Sequence, residues 1–244
     1  MFNIACGLCF FACKDCLFPD SALIMHTCSN VSVEEWMKKI VLLLVSAVLL
    51  LSGCVTHKVH YEVDNLEINT FSQKGFTLGV VDARPYVVNR EKLPAYSGRV
   101  GQGPVWELET ATGYPLADDF ASSIRNSLAK KGIEVKVVPF IAGTAKNNAV
   151  VHLLTPARKS VLIVMKDWRA ISVFRFALFY DLTISVYDET GQQLTEKNLM
   201  GTDIIPDEAI VRLRTSSYWG NQVVPFYRKK LEELFSDPEI AKYL

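Results

Sequence analysis

The chain has 244 residues, 26 Lys+Arg against 26 Asp+Glu, a half-hydrophobic composition and six cysteines. Zero net charge without a Lys/Arg block argues against a nucleic-acid binder, whose affinity rests on neutralising phosphates. A mean hydropathy of +0.17 points to one localised apolar segment, and the apolar content is ample for a core.

That segment is Ile40–Leu51 (IVLLLVSAVLLL). As a helix it would rise roughly 18 Å, short of a hydrocarbon core of roughly 30 Å. Met37, Lys38 and Lys39 precede it, and Leu51-Ser52-Gly53-Cys54 closes it. A start Met, two lysines, a short apolar run and small residues at the exit predict a secretory signal peptide over 37–53. The alternative is a single membrane anchor over the uncharged Ile40–Thr56, which Ser52, Gly53 and the polar residues from Thr56 onward disfavour.

The Leu-Ser-Gly-Cys ending resembles the bacterial lipobox. The resemblance implies diacylation of the Cys54 sulfur (palmitate-type chains), cleavage before it and acylation of the new amino group. Three chains exceed the two signals that stable anchoring needs. Val55 stands where enterobacterial lipoproteins kept in the inner membrane carry Asp. The resemblance therefore implies the outer membrane, lipid-anchored and facing the periplasm.

Cys6-x2-Cys9-x3-Cys13-x2-Cys16 has the spacing of a zinc or iron–sulfur cage. It lies upstream of a complete signal peptide with its own Met37, so residues 1–36 are read as an extension from a start assigned too early, and no metal or cofactor is expected. From Cys54 onward no second cysteine occurs, and no disulfide can staple the domain.

The expected organisation is a short tether and first strand over 54–75, then a single α/β periplasmic domain over 76–244. Val59, Tyr61 and Val63 alternate, as do Leu66 and Ile68. Phe76–Val81 predicts a buried strand. Leu116, Phe120, Ile124 and Leu128 recur every four residues across Pro115–Lys131, with Pro115 at a first helical position and Gly132 as C-terminal cap. Strand Ile133–Val138, a helix over Asn147–Arg158 burying Val150, Leu153 and Leu154, and a short strand Val161–Asp167 follow.

Ser172–Tyr187 shows period two, with Phe174, Phe176, Leu178, Tyr180, Leu182, Ile184 and Val186 on one face. Asp188-Glu189-Thr190-Gly191 turns into a partner strand near Gln193–Asp203. A last helix carries Val223, Tyr227, Leu231 and Leu234 or Phe235, with Pro225 beginning or kinking it. The predicted class is α/β (α+β): a mixed, largely antiparallel sheet packed by about three helices, in the order β-α-β-α-β-β-β-α.

Two short matches, Val81-Asp82-Ala83-Arg84-Pro85 and Ser236-Asp237-Pro238-Glu239-Ile240, resemble the YajG-like small bacterial lipoproteins. More loosely, the layout is similar to the auxiliary lipoproteins of envelope ABC transport systems. These resemblances imply an outer-membrane-anchored α/β domain with no enzymatic activity and no cofactor or substrate.

The residue chemistry points to the same class. His57, His60 and His152 make no metal set, and Gly-x-Ser-x-Gly and His-Glu-x2-His are missing. What remains is Tyr86–Tyr114, a connection of about 29 residues where four to six is usual. Arg90, Tyr96, Arg99 and Trp106 there, with Arg84 just before it, supply the charge-assisted donors and aromatic area of a partner-binding surface, beside Tyr86 and Lys92. Against this, Glu91, Glu107 and Glu109 offset the positives, and Asp82 with Arg84 could form an ion pair closing the strand end. The expected function is a non-catalytic binding or accessory module with an envelope partner. The alternative is an auxiliary subunit of lipid or amphiphile transport, which requires an apolar groove.

Overall fold

The computed structural model describes residues 37–43, 57–68, 75–101, 106–172, 176–205 and 216–244. Cys54, the cysteines of 1–36 and the remainder of the signal segment lie outside the described residues. The chain divides by its contacts into two units, Met1–Gly53 and Cys54–Leu244. In the first, residues 37–43 are helical and exposed. Among the described residues no helix is long and apolar enough to cross a membrane.

The second unit is a mixed α+β domain. Its strands are β1 (His57–Val59), β2 (Phe76–Asp82), β3 (Tyr96–Val100), β4 (Trp106–Thr110), β5 (Val135–Val138), β6 (Ser160–Ser172), β7 (Phe176–Tyr187) and β8 (Gln193–Ile205). Its helices are α1 (Pro85–Val88), α2 (Leu116–Ala129), α3 (Lys146–Leu153), α4 (Ser216–Ser236) and α5 (Pro238–Ala241). The longest ladders, β6–β7 and β7–β8, are antiparallel, while β2–β5, β2–β6, β3–β6 and β1–β4 are short and parallel.

The periodic elements form where their patterns put them. Leu116, Phe120, Ile124 and Leu128 of α2 are all fully buried, and so are Val223, Tyr227, Leu231 and Phe235 of α4. Pro225 lies inside α4 on its exposed side, so the amide bond it cannot make is lost where water can compensate. α3 ends at Leu153, five residues before the expected Arg158. Pro156 disfavours the helical state at Thr155, and Ala157 has φ +62°. Ala149 and Leu153 are its buried residues, whereas Val150 and Leu154 are only partly covered.

Helices cover both faces unequally. α2 and α4 pack one face around Tyr61, Phe120, Trp168 and Tyr227, whose rings meet edge-on or tilted at 4.8–6.5 Å between centroids. Such pairs add about 0.5–1.5 kcal/mol each beyond their burial. On the opposite face α3 shields only the β2 end, through Ala149, Leu153, Val81, Leu162 and Tyr187. The short α1 stands at the β3–β6 fork through Tyr86, and the rest of that face, over β4, β7 and β8, has no helix on it among the described residues.

The expected Tyr86–Tyr114 loop is corrected by the structure. It holds α1 and the antiparallel hairpin β3–β4, which enters the sheet beside β6. The pairing partners of β3 on β6 are some seventy positions later (Gly98 with Ala170, Arg99 with Ile171, Val100 with Ser172), so no local pattern reveals them. Gly98 is required there: its φ is +152°, and a Cβ would stand 2.0 Å from the Ala170 carbonyl oxygen. Gly98→Ala should therefore cost about 2 kcal/mol or more. Thermal unfolding checks this, and an unchanged Tm would mean that the β3–β6 contact can spread without loss.

Candidate functional site

β6 carries two strands end to end on one edge. β2 pairs with Ser160–Met165 and β3 with Ala170–Ser172, leaving a gap at 166–169 where the sheet forks. A gap in a ladder leaves carbonyls without partners. Arg84, at the exit of β2, fills it.

The Arg84 Nε donates to Asp82 Oδ1 at 2.8 Å and Nη2 to Asp82 Oδ2 at 2.7 Å, a bidentate ion pair. Nη2 also donates to the Pro94 carbonyl at 3.0 Å, while Nη1 donates to the carbonyls of Tyr96 and Trp168. Burial opposes the charge, but the Asp82 carboxylate outweighs it and holds the guanidinium above its ordinary value. Arg84 has no exposed surface. The structure therefore corrects its assignment as a surface contact: it is the frame beneath the site, because the open carbonyls of the fork consume its donors.

In front of the fork lies a cleft of about 440 Å³ lined by Tyr86, Lys92, Tyr96, Arg99, Glu107, Arg169 and Ile171. Arg99, Glu107 and Ile171 are cross-strand neighbours on β3, β4 and β6, and Arg169 is two positions along β6 on the same face. Tyr86 and Tyr96 form the wall, edge to face at 5.6 Å. The Tyr86 hydroxyl lies 3.2 Å from both Asp167 Oδ1 and the Trp168 carbonyl, so its hydrogen is already engaged. Burial raises its pKa far above that of a free phenol, which leaves a neutral ring.

Two of the three cations are balanced. Lys92 pairs with Glu107 and lies 5.2 Å from the centre of the Tyr96 ring, and the Glu107 hydrogen bond raises its pKa. Arg169 lies 5.1 Å from the centre of the Phe179 ring; its Nε is 3.2 Å from Asp167 Oδ2 without the alignment of a hydrogen bond. Arg99 is exposed and has no ion-pair partner among the described residues.

The expected contact residues thus divide. Tyr96 and Arg99 meet in the cleft. Trp106, cross-strand to the buried Val100, is on the opposite face and packs against His57 at 5.6 Å. Arg90 lies on the exposed turn after α1 with φ +63°. Arg169 and Ile171 were missed, although their alternation with the inward Trp168 and Ala170 was available in the sequence.

Neither quoted sequence match reaches the cleft. Asp82 and Arg84 close the fork, and Asp237 caps α5, accepting from the Glu239 amide at 3.0 Å and pairing with Lys197 at 2.9 Å. His57 is buried, which lowers its pKa, while His60 and His152 are exposed. Among the described residues no three His, Cys, Asp or Glu side chains gather as metal ligands.

No family model and no curated protein sequence matches the chain. Several solved structures do. A DUF330 protein from Xanthomonas campestris is 11% identical at a TM-score of 0.46, covering 78% of this chain and 97% of its own. An uncharacterised protein is 7% identical at 0.40, covering 74% and 99%. The lipoprotein GNA1162 from Neisseria meningitidis is 9% identical at 0.32, covering 66% and 99%. At such identities and scores the likeness is to the course of the chain and transfers no activity.

Proposed function

We propose that this chain is a non-catalytic lipoprotein, held through acyl groups of the palmitate type on Cys54 at the periplasmic face of the outer membrane, and that its domain is a binding module of the cell envelope working through the Tyr86–Ile171 cleft. The Leu51-Ser52-Gly53-Cys54 lipobox and Val55 support the anchor and its placement, and the YajG-like resemblance points the same way. The single observation that carries the binding role is the cleft itself. Three cations, two tyrosine rings and an aliphatic side chain converge there from α1, its following turn and three strands. Among the described residues its lining has no Ser, Cys or His to act as nucleophile or base, and burial keeps the Tyr86 phenol protonated.

Two measurements test this. Metabolic labelling with an alkynyl fatty acid should tag the wild type, and Cys54→Ala should lose the tag and move from the outer-membrane fraction to the soluble or inner-membrane fraction. An unchanged outer-membrane location without the tag would refute the anchor. A photo-crosslinking amino acid at position 99 should capture an envelope component, while one at position 106, on the other face, should not. Capture from 106 and none from 99 would remove the cleft from the mechanism.

A further inference from the structure

The cleft continues into a row of side chains that crosses the uncovered face. Glu107, Arg99, Ile171, Ala177 and Ile204 are successive cross-strand neighbours on β4, β3, β6, β7 and β8. Cross-strand neighbours share a face, and strands lie about 4.8 Å apart, so Arg99 is about 14 Å from Ile204. The row reads acid, base, then three aliphatic residues running to the sheet edge, where Ile204 is 59% exposed. Phe179, in the adjacent row opposite Arg169, adds apolar surface beside Ala177, while Thr202 and then Asp181 bound the strip on that side.

Charge is concentrated at one end of this strip. Glu107 belongs to Lys92, and Arg169 already stands against Asp167 and Phe179, so of the three cations lining the cleft Arg99 is the one without an ion-pair partner among the described residues. A guanidinium presents a planar fork suited to a carboxylate or phosphate. Beside it begins an aliphatic track, whose covering is favourable by about 25 cal/mol per Å².

We infer that the cleft binds one anionic headgroup, carboxylate or phosphate, carried on an unbranched apolar tail, with the headgroup on Arg99 and the tail along Ile171, Ala177 and Ile204. This rests on the reading of the cleft as a binding site and names its ligand class. The Tyr86 and Tyr96 rings wall the headgroup end. Lys92 and Arg169 retain N–H donors on either side of it, and one unmatched positive charge selects for one negative charge.

Arginine footprinting of the full chain tests the inference. Phenylglyoxal modification at Arg99 is read by peptide mass, with exposed Arg90 as internal reference. Decanoate and decyl phosphate, below their micelle-forming concentrations, should protect Arg99 at concentrations about tenfold lower than acetate and inorganic phosphate, while decanol should not protect. The better of the two tailed anions distinguishes a fatty-acid source from a phospholipid source. Ile171→Asn should erase the tenfold advantage and leave the weak protection by inorganic phosphate intact. Equal protection by tailed and tailless anions, or equal protection of Arg90, overturns the inference. If crosslinking from position 99 captures only protein and no tailed anion protects Arg99, the ligand class is wrong while the binding role stands.

Discussion

Arg84→Met should lower the unfolding free energy of the domain by about 3–5 kcal/mol, the usual consequence of stripping one partner from a buried ion pair. At about 2–4 °C per kcal/mol for a domain of this size, Tm should fall by roughly 6–20 °C. The cost has two parts. Asp82, 2% exposed, would keep a carboxylate facing nothing but protein, and the carbonyls of Pro94, Tyr96 and Trp168 would each lose a donor. The double variant Asp82→Leu/Arg84→Met removes the first part but not the second. It should therefore recover only a fraction of the loss, and urea unfolding of the three variants separates the parts. A single variant within about 1 kcal/mol of wild type would show that the fork does not depend on this pair.

The second large effect is in the pH dependence of stability. Asp119, in the first turn of α2, is 1% exposed; Thr112 donates to its Oδ1 at 2.8 Å, and among the described residues its Oδ2 has no partner. Burial raises its pKa to about 7 from 3.8, with Glu62 and Asp118 adding repulsion. The folded state thus holds a proton that the unfolded chain releases near 3.8. The stabilisation is complete below that value, declines as pH rises through the interval, and is gone above about 7. Its size is on the order of 2–4 kcal/mol. Asp119→Asn keeps the acceptor for Thr112 and removes the titration, so it should flatten stability between about pH 4 and 7 and raise it above 7. Denaturant unfolding at a series of pH values checks this, and an unaltered slope in the variant would assign the dependence to another group.

The strong periods carried most of the fold. Every fourth residue of α2 and alternate residues of β7 pointed to their buried faces because single-faced burial imposes those periods on a sequence. The hairpin β3–β4 escaped notice for the opposite reason: its strands have five residues each, and Pro94, Gly98, Gly101 and Gly103 resemble the punctuation of a loop. β6 was cut short at Asp167 because Lys166-Asp167 interrupts an apolar run. The register shifts between Met165 and Asp167, and beyond that irregularity the strand resumes with Trp168 and Ala170 facing the core. The irregularity therefore concealed two of the seven lining residues of the cleft, since Arg169 and Ile171 lie beyond it. Tyr96 and Arg99 could be named from the sequence as contact residues, but the separation of Arg99 from Trp106 could not, because it depends on a pairing with β4 that turns the two to opposite faces.

The division of one edge of β6 between two strands also makes the two properties of the domain separately adjustable. The chain that links β2 to β3 must leave the plane of the sheet at the gap, and that excursion supplies Tyr86 and Lys92 to the wall of the cleft. The aromatic cluster under α2 and α4 lies on the other face of the sheet and has no part in that wall. Lengthening the exposed turn 88–93 or changing its side chains should therefore alter what the cleft accepts while unfolding stays nearly unchanged, so specificity can drift on a scaffold of constant strength.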